Sequence, residues 1–73
     1  MHKSEVARIR EEIELQLEAM QRGMYGYASG TARHSFIRAR MDRIGEYHHK
    51  LADHIGEKDA DQLVSSLYCE IMG

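Results

Sequence analysis

The stretch from Ala32 to Ile55, ARHSFIRARMDRIGEYHHKLADHI, decides the fold. His34, Ile37, Met41, Ile44, His48, Leu51 and Ile55 follow one another at spacings of 3, 4, 3, 4, 3 and 4. Alternation of this kind is a heptad-like seam, the pattern of a helix lying along another helix for its whole length. The rest of the chain then reads as partner or connector for that seam.

A second row runs beside the first. Phe36, Arg40, Arg43 and Tyr47, spaced 4, 3 and 4, share one flank, with arginines between aromatic rings where cation–π contact can form. From Thr31 to Lys50 five basic residues (Arg33, Arg38, Arg40, Arg43, Lys50) stand against two acids, Asp42 and Glu46. The segments on either side are acidic, three bases against five acids over 4–22 and one against five over 51–73. Pairing of a basic helix with two acidic ones inside one fold is the simplest reading.

Upstream, Ser4 is placed to cap a first helix over 4–22, with Glu5 in its opening turn where the helix dipole favours an acid. Val6, Ile9, Ile13, Leu17, Met20 and Met24 make one apolar face. Leu15 points roughly opposite that face, and Glu11, Glu14 and Glu18 fall on the far side. Residues 23–30, GMYGYASG, contain three glycines and predict a turn. The first helix can stop at Gly23 or continue as far as Gly30. A phosphate-loop reading of this segment fails, because no Gly-Lys-Ser/Thr ending and no preceding strand accompany it.

Thr31 is the expected cap of a central helix over 32–55, and Gly56 its stop. A third helix over 59–72 opens with acids and carries Ala60, Leu63, Val64, Leu67, Tyr68, Ile71 and Met72 on one side, with Cys69 turned away. The architecture expected is all-α: an antiparallel hairpin of two long helices plus a shorter C-terminal helix. Three apolar stripes can close on themselves, but the two long seams exceed what the short third helix covers, so pairing of two chains into a larger helical bundle is the favoured completion.

Composition narrows the function classes. Seventy-three residues make one domain, 1–73, whose core is marginal without reinforcement. One cysteine excludes an intrachain disulfide, which leaves self-association as the reinforcement. No apolar run approaches the roughly 20 residues needed to span a bilayer, and the lone thiol suits a reducing cytoplasm. A net charge of -2 gives no argument for a polyanionic partner.

Candidate chemistry is sparse. His34, His48 and His54 lack the i, i+3 or i+4 spacing that lets two donors on one helix reach one ion. Glu46 and His49 form a Glu-x-x-His pair, the ligand spacing of di-iron bundle proteins, yet both fall opposite Ile44 and Leu51 and should face water. Cys69 sits beside Glu70, which disfavours a thiolate, and no Ser-His-Asp or Cys-His arrangement can be argued. The expectation is therefore a non-catalytic homo-oligomeric interaction or accessory module with no cofactor, docking on itself or another protein. Its interface would use Ile37, Met41, Ile44, His48, Leu51 and Leu15, with the Phe36/Tyr47 flank also turned to the second chain. A nucleic-acid-binding protein using Arg33, Arg38, Arg40, Arg43, Phe36 and Tyr47 is the first alternative. A metal-binding ferritin-like half-bundle through Glu46 and His49 is the second.

Overall fold

The computed structural model describes residues 4–26 and 30–73, with backbone alone for residues 24–26 and 31. It is all-α, in the order α1 (Glu5–Gly26), α2 (Gly30–Ile55) and α3 (Glu57–Met72). Each helix packs against both of the others. A 26-residue helix is about 39 Å long at 1.5 Å per residue. That equals the longest dimension of the molecule, 39 Å against 26 and 19 Å, so α2 sets its length.

Local chemistry explains the helix ends. The Ser4 hydroxyl accepts a hydrogen bond from the Ala7 amide at 3.1 Å, capping α1 as its sequence suggests. α1 then runs on through Gly23 to Gly26, three residues past the earliest stop, and the heart of the glycine-rich segment, 27–29, lies outside the described residues. α2 begins at Gly30, one residue before the expected cap Thr31, whose side chain is also outside the description. Gly56 alone separates α2 from α3. Its amide donates to the Ala52 carbonyl at 2.8 Å, and its own carbonyl accepts from Ala60 at 3.0 Å. α3 thus starts at Glu57, two residues earlier than the acids alone indicate.

The core runs as one cluster through all three helices. Ile9, Ile13, Leu17 and Met20 enter from α1, Ile44 and Leu51 from α2, Ala60 and Leu67 from α3. Ile13, Leu17 and Leu51 are sealed almost completely, and each contributes about 1.5–3 kcal/mol by burial. The α2 seam does not enter this core as a unit. Ile44 and Leu51 are buried and Ile37 and Ile55 partly so, whereas Met41 and His34 are exposed and His48 is half-buried. With α1 and α3 packed on different sides of α2, the buried arc is turned so that one heptad position faces inward and much of the other faces out.

The Phe36/Tyr47 flank closes on α1 of the same chain. Tyr47 donates its hydroxyl proton to Glu12 at 3.4 Å, and Phe36 packs over Gly23. Glu12 to Gly23 and Phe36 to Tyr47 are equal intervals, as a straight antiparallel pair requires. Gly23 is therefore a seat for a ring rather than a helix stop. A Cβ placed there would run into the Phe36 ring, with Cδ1 and Cζ at 2.7 Å. We expect Gly23→Ala to destabilise the fold by about 1 kcal/mol, since overpacking costs about 1–3 kcal/mol and alanine regains about 1 in a helix interior. In a Phe36→Ala background the same change should become stabilising; a urea series that shows no change of sign removes this account of Gly23.

Candidate functional site

The described surface holds one open groove of note, between α2 and α3. Its volume is about 450 Å³, and it is lined by Met41, Ile44, Gly45, His48, Asp61, Val64 and Ser65. The α2 wall is a single helical face at i, i+3, i+4 and i+7, and the α3 wall repeats i, i+3, i+4. Ile44 and Val64 form an apolar floor. His48 and Asp61 bridge the two walls, the His48 Nε2–H donating to the Asp61 carboxylate at 2.6 Å. A carboxylate only accepts, so this contact requires the proton on Nε2. The pair is open to solvent, at 34% and 65% side-chain exposure, and such pairs fix position more than they stabilise.

Counting outward from this bridge along two antiparallel helices, each step down α2 is matched by one up α3, which brings Tyr68 opposite Met41. Met41 is 48% exposed and Tyr68 46%. Two of the three most exposed large apolar side chains among the described residues thus lie near this groove, Met41 in its lining and Tyr68 on the α3 face one turn beyond Val64 and Ser65. Tyr68, part of the apolar stripe that the sequence predicts for α3, is exposed rather than in the core. The third, Leu15 at 52%, lies on the back of α1, away from the core and the groove.

The residues of the arginine row divide. Arg33, Arg38 and Arg43 are exposed, while Arg40 is half-buried with its guanidinium 5.5 Å from the centre of the Phe36 ring. Phe36 and Tyr47 are both half-buried along α1, with Lys50 Nζ 5.5 Å from the Tyr47 ring. Both rings are thus partly engaged inside the fold, Phe36 over Gly23 and Tyr47 through its hydroxyl to Glu12. Gln16 Oε1 and Arg40 Nε, which fall along this same α1/α2 flank, are buried without a hydrogen-bond partner among the described residues.

Glu46, His49, His34 and His54 are exposed, and among the described residues no three His, Cys, Asp or Glu side chains converge on a point that could hold an ion. Cys69 is exposed and unpaired. No described helix is long and apolar enough to cross a membrane. Compared with known protein families, curated proteins and solved structures, the chain gives no match.

Proposed function

We propose that this protein is a non-catalytic helical interaction module that works as a homodimer, with the α2/α3 groove of each copy receiving a helix of the other. The observation that carries the reading is the groove itself: an apolar floor with Met41 exposed in its lining, and Tyr68 exposed on the same face of α3 one turn beyond. Side chains of this kind, grouped rather than scattered, mark interaction surfaces. Methionine suits such a surface because its flexible thioether adapts to an irregular partner.

The surface area supports the same reading. The chain exposes 5301 Å². A monomeric protein of 8.4 kDa is expected to expose about 4,600 Å², so this chain carries an excess of about 700 Å². The excess is close to the roughly 800 Å² that each partner buries in a standard interface. The radius of gyration agrees: 13.1 Å here, against about 11 Å for a compact domain of this length. An exposed single thiol fits a reducing cytoplasm as its working place.

Light scattering on a sizing column at neutral pH is the direct test. The expected result is a species of twice 8.4 kDa that dissociates on dilution. A single 8.4 kDa species from micromolar to millimolar concentration would sink the proposal.

A further inference from the structure

We infer that the two copies meet across a two-fold axis at Gly45, with the α2 helices antiparallel and crossing at that residue. The inference rests on the homodimer reading above and names its geometry. Gly45 lies in the middle of α2, where glycine is a poor helix former. At Gly23 the missing side chain makes room for Phe36. At Gly45 nothing lies within 4 Å of where a Cβ would stand, so the chain's own fold gives no reason for the glycine. Small residues at a helix crossing allow two backbones to approach closely. Gly45 also lines the groove, and a helix laid over it would lie beside Met41 and His48 on α2 and Val64 and Ser65 on α3.

The polar side chains around Gly45 are self-complementary. Arg38, Asp42, His49 and Asp53 are all exposed on α2. Among the described residues no ion pair or hydrogen bond engages their side chains. Asp42 lies three residues before Gly45 and His49 four after; Arg38 lies seven before and Asp53 eight after. An antiparallel two-fold at Gly45 therefore sets Arg38 against Asp53 of the second copy, and Asp42 against His49 of the second copy. A parallel pairing would set Arg38 against Arg38 and each aspartate against its own kind. An isologous contact of this sort closes at two subunits, because each patch is used by its own copy. Met41 of each chain then reaches over the crossing toward His48 and His49 of the other, covering the rim that is exposed in the single chain.

The test is sedimentation equilibrium of the full chain, with circular dichroism to establish that each variant remains helical. Gly45→Ala should raise the melting temperature of the dissociated chain at high dilution while weakening dimerisation at least tenfold, effects of opposite sign. Gly45→Arg should abolish the dimer with helicity retained. Arg38→Asp should weaken it about tenfold, and the double variant Arg38→Asp/Asp53→Arg should recover the lost affinity. A wild-type dimer unaffected by Gly45→Ala and Gly45→Arg overturns the crossing and leaves the interaction-module reading standing. Failure of the double variant to recover affinity overturns the antiparallel charge register. A wild-type monomer removes both readings together.

Discussion

Leu51→Ala lowers the free energy of unfolding by about 3–5 kcal/mol, the range found when a fully buried leucine is truncated and the site cannot collapse. Leu51 has no exposed surface and belongs to the cluster shared by all three helices, so its loss opens a void that no single helix can fill by shifting. A domain of this length has about 4–11 kcal/mol of stability in total, and the substitution removes about a quarter of it or more. With a urea dependence of about 1 kcal/mol per molar, the midpoint falls by several molar or the transition disappears. Leu15→Ala is the matched control. At 52% exposure on the back of α1 it should change stability by about 0.5 kcal/mol or less. Equal losses for the two leucines would mean that α2 is not seated with Leu51 inward.

Gly56→Ala should cost about 1–3 kcal/mol for a different reason. Gly56 holds φ at 91° and ψ at 155°, a backbone region reached essentially by glycine alone. No neighbour lies within 4 Å of a Cβ there, so the effect isolates backbone conformation from crowding. Thermal unfolding of the alanine variant measures it. A D-alanine introduced by chemical ligation, for which a positive φ is favourable, should match glycine or exceed it. If L-alanine is as stable as glycine, then α3 does not leave α2 through this conformation.

The contrast among three glycines shows what the sequence could and could not disclose. Gly56 was legible as a helix stop, because a lone glycine between two amphipathic patterns implies a left-handed residue. Gly23 was not, since its role depends on Phe36, which is distant along the chain and meets it only once the antiparallel register is set. Gly45 carried no signal at all until the space above it could be inspected. The three helices and the exposure of Leu15, Glu46 and His49 follow from periodicity, which fixes angular position on a single helix, and the Ser4 cap follows from its hydroxyl. How far α2 rotates about its own axis is a property of three helices together. For that reason its heptad seam was read as one face, though Ile44 and Leu51 point inward while Met41 and His34 do not. For the same reason the sequence pattern turns Phe36 and Tyr47 toward a second chain, whereas in the fold they pack on α1. The groove is not legible in the sequence, because Met41 and Ile44 on α2 meet Asp61 and Val64 on α3 only in the folded cross-section.

The difference in length between the helices gives the bundle a taper. α3 has 16 residues against 26 in α2, and it ends where the Gln21 side-chain amide donates to the Ile71 carbonyl at 2.8 Å. Near Gly56 the molecule is three helices thick; beyond Gln21 it is two. Amide protons in the first turns of α2 are therefore released by an opening that breaks contacts with α1 alone, while those around Leu51 await disruption of the whole cluster. Protection against exchange with heavy water should rise from Ala32 toward Leu51, so that a chain with a single core has a protected end and a breathing one.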